Sequence, residues 1–234
     1  MNKVKIFAFL LAFICFGHLF VYGQKTEIYQ ENFLEAYNKM LKKTDKLSQR
    51  ITLSTKSWII DSPRSIISKV IVEFIPNDKI RTVEQVGFKD NDKLPTSTIE
   101  FIIVGDTEYK KDSFNNIWSK YLTDRSAKPY RCSIFPKGVK NAKWYRTENV
   151  SIGDEVVDLY EEYIEIKSIG LMGLATNQFG ERVYTSKNNF WITKDNLLIK
   201  SESSLNNNTI EADNFFAVYL YEYDPNIKIE VPIK

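Results

Sequence analysis

The 234-residue chain is nearly devoid of histidine and cysteine, with one His and two Cys. His18 and Cys15 both fall in an N-terminal stretch that reads as an export signal. Lys3 and Lys5 form its basic start, and Ile6 to Phe20 is an apolar run too short and too early for a membrane span. Val21-Tyr22-Gly23 then places small residues where a signal peptidase needs them, so cleavage is expected before Gln24. Lipidation is not expected, because Ala12-Phe13-Ile14-Cys15 lacks small residues directly before the Cys and lies inside the hydrophobic run. What remains has no histidine and a single cysteine, Cys132. These absences exclude an intramolecular disulfide, a His or Cys metal cluster, a Ser-His or Cys-His couple and an imidazole base. No metal and no cofactor are expected, and Cys132 reads as a small apolar core residue. An excess of either charge is missing too. Loss of Lys3 and Lys5 takes the basic count from 32 to 30 against 30 acidic residues. No nucleic-acid or polyanion partner is implied.

The mature chain, 24–234, is large enough for one well-buried domain and is expected to form one. Its best helix pattern runs from Asn32 to Lys46. Asn32 can cap it with Glu35 three residues on, and Phe33, Tyr37, Met40, Leu41 and Thr44 share one face opposite Glu35, Asn38, Lys39, Lys42 and Lys46. Beyond Arg50 the period changes from 3.6 to two. Ile51 to Ile60, Ser68 to Ile75, Lys79 to Phe88 and Ser97 to Val104 read as strands of an antiparallel meander, followed by a turn at Gly105-Asp106 and a further hairpin ending near Trp118. Sheet resumes from Lys143 to Ile166. Asn189 to Thr193 and Leu197 to Glu202 flank a Lys194-Asp195-Asn196 turn, and Asn214 to Tyr223 forms the last strand.

Several of these strands are apolar on both faces. Ile99, Phe101 and Ile103 alternate with Ile102 and Val104. Phe215, Ala217, Tyr219, Tyr221 and Tyr223 alternate with Phe216, Val218 and Leu220. A strand of this kind requires a cover on each side, one of which a helix and the other a ligand can supply. Asp154, Glu155, Asp158, Glu161, Glu162 and Glu165 raise acid-dependent chemistry, but a linear run does not set two carboxylates across a cleft, and a solvated, edge-protecting charge face is expected. Ser168 to Thr176 stands apart, with Gly170 and Gly173 among Leu171, Met172 and Leu174. It reads as a short core-packed turn of helix or as a flap whose leucines and methionine touch bound acyl chains.

Together these residues resemble the periplasmic lipoprotein-carrier superfamily, which contains the outer-membrane lipoprotein chaperone and the mycobacterial lipid-binding lipoproteins. The matching pieces are the early helix after a signal, the Ile103-Val104-Gly105-Asp106 to Tyr109 and Trp118 segment, the hairpin from Phe190-Trp191-Ile192 to Leu198-Ile199-Lys200-Ser201-Glu202, and the closing Tyr221-Glu222-Tyr223 to Ile229-Glu230-Val231-Pro232. The equivalent family stretches are a strand ending Trp-Ile-Asp, a turn with glycine, a basic return strand and a last strand running into proline. The resemblance implies an α+β fold: a strongly curved antiparallel half-barrel with helices on its concave side and an acyl-chain cavity between them. It further implies a non-enzymatic, periplasmic or secreted binder of a lipid, lipoprotein acyl chain or other hydrophobic ligand. The expected contacts are Phe101, Ile103, Tyr219 and Tyr221 on the sheet and Leu171, Met172 and Leu174 on the flap. The rival class is a cell-envelope structural or adaptor protein that meets other envelope proteins through an apolar surface.

Overall fold

A computed structural model describes residues 23–58, 65–76, 79–88, 97–113, 115–123, 142–168, 182–207 and 214–232. The chain enters through a short strand β1 (Lys25–Ile28) and a helix α1 (Gln30–Thr44). A first meander follows: β2 (Gln49–Trp58), β3 (Ser65–Ile75), β4 (Lys79–Phe88), β5 (Ser97–Val104), β6 (Thr107–Lys111) and β7 (Trp118–Leu122). The second is β8 (Lys143–Ile152), β9 (Glu155–Ser168), β10 (Arg182–Thr193), β11 (Leu198–Asn207) and β12 (Phe215–Tyr223). All twelve strands form one sheet in the order β1-β8-β9-β10-β11-β12-β2-β3-β4-β5-β6-β7. Antiparallel pairing of β12 with β2 joins the two meanders. The sheet is open, with β1 and β7 at its edges, consistent with a curved half-barrel. No helix among the described residues is long and apolar enough to cross a membrane.

The turns follow the residues available for a left-handed backbone. Gly105 and Gly153 have φ of 55° and 59°, and Asn196 has φ of 59°, so these three hairpins turn where a Gly or Asn meets no Cβ penalty or tolerates it. Gly153-Asp154 divides the expected Lys143–Ile166 sheet segment into two paired strands.

The topology explains why α1 lies where it does. β1 is at one edge and β2 is near the middle, so α1 must carry the chain across the face of β8 to β11. Its apolar side docks on the way: Phe33 and Met40 are buried with Trp144, Tyr160, Phe190, Ile192 and Leu198, with Tyr37 and Leu41 packed alongside. The side chains on the helix's inner face are those its 3.6 periodicity selects, but its start differs from expectation. The helix begins at Gln30, and Asn32 sits at the third helical position, where its Oδ1 accepts from the Tyr29 N–H at 3.2 Å. Asn32 is therefore the return half of a capping arrangement and not the cap itself.

The opposite face of the sheet is where the sequence misleads most. Phe216 and Leu220 are exposed there, so β12 is not covered on both sides. That face is instead crossed by a ladder of charges: Arg50 pairs with Glu73 at 2.8 Å and Glu222 at 3.4 Å, and Arg81 with Glu73 at 3.1 Å and Glu100 at 2.8 Å. Lys200 on the same face sets its ammonium over the Trp191 ring, 4.7 Å from the centroid, a cation–π contact. The closing residues 227–232 are not a strand; Ile227 and Ile229 pack against Ile102 with Tyr109 and Trp118 beside them. The acidic run is corrected as well. β9 lies between β8 and β10, not at an edge, and Asp158, Glu161 and Glu162 are buried.

Candidate apolar site and its polar end

Strand alternation puts two apolar clusters on the face that α1 occupies. One is the helix-docked set just described. The other lies on β2 to β5, where Ile51, Val72, Phe74, Ile80 and Ile103 are buried with Val70, Phe101, Tyr219 and Tyr221 packed against them. Cross-strand register builds it: Tyr221 lies opposite Ile51, Ile51 opposite Val72, and Tyr219 opposite Leu53, which lies opposite Val70. Phe74 faces Ile80, which faces Ile103. Tyr221 belongs to both sets and joins them. No residue of α1 is among the members of the second cluster.

Four of the seven residues nominated from sequence, Phe101, Ile103, Tyr219 and Tyr221, are thus brought together. Leu171, Met172 and Leu174 lie outside the described residues, as does the whole proposed flap.

The sequence reading missed the small residues between these rings. Moving across the sheet from β9 to β3, one row of paired residues is Glu162, Asn188, Ser203, Ala217, Thr55 and Ser68. The adjacent row is Tyr160, Phe190, Ser201, Tyr219, Leu53 and Val70. Large groups in one row therefore stand beside Ser, Ala and Thr in the next, a trough in side-chain height along the sheet whose middle residue, Ala217, is fully covered. Thr55 and Ser68 satisfy one another through a 2.6 Å hydroxyl contact, and Ser201 and Tyr221 through one of 3.3 Å. A signal was present: β11 puts Ser201 and Ser203 on one face, where a packed strand favours β-branched or aromatic residues.

At the end of the trough sits a buried polar pair. Asn188 Nδ2 donates to Glu162 Oε2 at 2.7 Å, and each residue is 3% exposed. Burial pushes the Glu162 carboxyl above the usual carboxylate range, against the lowering effect of the Asn188 hydrogen bond. The two neighbouring buried acids behave oppositely. Burial tends to raise Asp158, but hydrogen bonds from Lys194, from Arg146 and from the Asn149 N–H hold it below its usual value. Glu161 is likewise held low, against burial, by Lys25 and Lys187 at 2.8 Å and 3.3 Å.

These shifts make an acid-stability prediction. A carboxyl whose folded pKa is depressed contributes stability above its unfolded value of about 4, and that contribution is lost as pH falls through the lower folded value. Denaturant melts between neutral pH and about pH 3 should therefore show a steep acid loss that Asp158→Asn flattens. An unchanged acid limb in that variant would show that its ion pairs do not carry the effect. Glu162 has the reverse sign: its raised folded pKa favours the fold at low pH, and that contribution disappears as pH rises through the folded value.

The acids do not form a hydrolytic pair. Asp158 and Glu162 share a face, but four residues at about 3.3 Å per residue separate them by roughly 13 Å along β9, wider than the roughly 5 to 9.5 Å between paired glycosidase carboxylates. Tyr160 stands between them. Among the described residues, no three His, Cys, Asp or Glu side chains come together as a metal site.

No family model and no curated protein matches the chain. Among solved structures, it is similar to the lipoprotein LppX of Mycobacterium tuberculosis, at 12% identity over 86% of this chain and 100% of that one, with a TM-score of 0.44. It is similar to LprF of Mycobacterium bovis at 12% identity, 86% and 97% coverage and a TM-score of 0.39. A LolA-superfamily protein of Nitrosomonas europaea matches at 11% identity, 79% and 90% coverage and a TM-score of 0.27.

Proposed function

We propose that this chain is a non-enzymatic binder or carrier of a lipid, a lipoprotein acyl chain or another hydrophobic ligand, working in the periplasm or outside the cell after loss of its signal. The observation that carries this reading is the continuation of the apolar face beyond α1. Five buried aliphatic and aromatic residues, with Phe101 and Tyr219 beside them, line β2 to β5, while the helix residues pack on the other cluster. Such a surface, floored by Ser203, Ala217 and Thr55, suits an acyl chain. Each methylene it removes from water is worth about 0.8 kcal/mol, so a chain of ordinary length binds without chemistry. Phe101, Ile103, Tyr219 and Tyr221 are the contacts we assign on the sheet.

Native mass spectrometry of the purified mature protein, followed by organic extraction, tests this. The expected result is a ligand adduct that extraction removes and identifies as acyl-bearing, with a fluorescent acyl probe taken up by the emptied protein. A protein that carries no lipid and takes up no probe would refute the reading. The envelope-adaptor alternative draws on one observation: at the open β7 edge, Leu122 is 89% exposed, with Ile117 and Tyr121 also exposed. It predicts a protein partner in place of a lipid adduct.

A further inference from the structure

The acyl site described above accounts for the apolar rows of the sheet but not for the polar pair at their end, and the following inference rests on that site being an acyl site. Asn188 is almost completely buried, yet its Oδ1 has no hydrogen-bond partner. A buried amide oxygen left in this state costs free energy that a native fold seldom leaves uncompensated. Its direction follows from strand parity. Phe190, two residues on, packs against Phe33 of α1 with ring centroids 5.0 Å apart, so Asn188 faces the same layer. Its cross-strand neighbour Ser203, and then Ala217, Thr55 and Ser68, continue the row away from it as small side chains. With strands about 4.8 Å apart, the four steps from β10 to β3 make a trough of roughly 19 Å, on the scale of a long acyl chain.

The charges around the pair decide what the head of that chain can be. The neighbouring cations are committed elsewhere: Lys25 and Lys187 to Glu161, and Arg146 and Lys194 to Asp158. Glu162 is bonded to Asn188, and no ion pair to it occurs among the described residues. A carboxylate or phosphate brought here would be buried beside an acid without a counter-ion, which is strongly unfavourable. A hydroxyl or amide N–H can instead donate to Asn188 Oδ1, and the carboxyl of Glu162, which burial favours in its neutral form, adds a donor for an ester or amide oxygen.

We propose that Asn188 and Glu162 form the head-group end of the acyl site and select a chain with an uncharged, hydrogen-bond-donating head, such as a glycerol monoester or an acyl amide, over a free fatty acid or a phosphorylated lipid. Ser203 and Ala217 floor the first part of the chain's path, and Phe190 and Tyr219 wall it.

The test uses the full mature protein and displacement of a fluorescent acyl probe by three ligands of one chain length: monopalmitoylglycerol, palmitic acid and palmitoyl lysophosphatidic acid. The monoester is expected to displace the probe at a concentration roughly tenfold lower than either anion, the effect of one buried acceptor satisfied or left empty. Asn188→Leu should bring the three curves together while the probe still binds, and Glu162→Gln, which keeps a donor and an acceptor, should preserve the order. Equal displacement by all three with the wild-type chain, or a preference for an anion, overturns the head-group assignment and leaves the acyl site standing. Preference retained in a folded Asn188→Leu variant overturns it as well. Failure of every acyl ligand and of the probe overturns both readings together.

Discussion

Replacing Phe33 with alanine is expected to lower the unfolding free energy by about 3 to 5 kcal/mol, within the range measured for buried aromatic truncations. Phe33 is fully buried and holds α1 to three strands at once, with ring-centroid distances of 4.4 Å to Trp144, 5.0 Å to Phe190 and 5.5 Å to Tyr160. Removing it leaves a cavity bounded by large rings on a rigid sheet, which cannot close by moving one small neighbour. The loss also falls on the only covalent path from β1 at the edge to β2 in the middle, so β1 should loosen with the helix. Hydrogen exchange would then show reduced protection in 25–44 well before it appears in β2 and β3. Lys42→Ala, on the exposed side of α1, serves as the control. A Phe33→Ala loss below about 1 kcal/mol would contradict docking through this ring, since it is smaller than even a modest core truncation.

Much of this architecture is legible in the sequence because period two and period 3.6 are reported directly by apolar side chains. Lys79–Phe88 and Ser97–Val104 have the boundaries their alternation indicates, and the helix buries the face its spacing selects. What alternation does not reveal is neighbourhood. Glu161 and Glu162 are adjacent in sequence and look like one solvated run, yet they point to opposite faces of a central strand. Glu161 meets Lys25 and Lys187, whereas Glu162 meets Asn188. The partners come from β1 and β10, and no local pattern links those segments to β9. Apolar residues on both faces of β12 indicate two covers for the same reason. The second face is managed by Lys200 opposite Leu220 and by the nearby Arg50 and Glu222 pair, which a single strand read alone cannot show. Within the site, four rings and aliphatics were recognisable as apolar, while the trough was not. Ser, Ala and Thr attract no notice in a sequence, and their meaning appears only when four strands align them in a row.

Ala217→Leu is expected to reduce uptake of a fluorescent acyl probe at least tenfold while leaving the melting temperature nearly unchanged. Ala217 is fully buried at the middle of the row, opposite Thr55 on one side and Ser203 on the other, with Tyr219 and Leu53 in the row beside it. A leucine there adds three carbons to the floor of the trough. If an acyl chain lies in that space, the new side chain takes the place of at least two methylenes. At about 0.8 kcal/mol each, their loss exceeds the roughly 1.4 kcal/mol that corresponds to a tenfold change in affinity. If the space over Ala217 is the ligand's, the leucine fills it without straining its protein neighbours, so stability holds. A filled protein core gives the opposite pair of results: overpacking costs about 1 to 3 kcal/mol, the melt moves down by several degrees, and probe uptake is either absent from the start or insensitive to the change. Phe216→Ala, one residue away on the exposed opposite face, should alter neither quantity and so controls for strand position. A destabilised Ala217→Leu protein with wild-type uptake would place the ligand outside this trough, and with it would go the assignment of Tyr219 and Tyr221 as contacts.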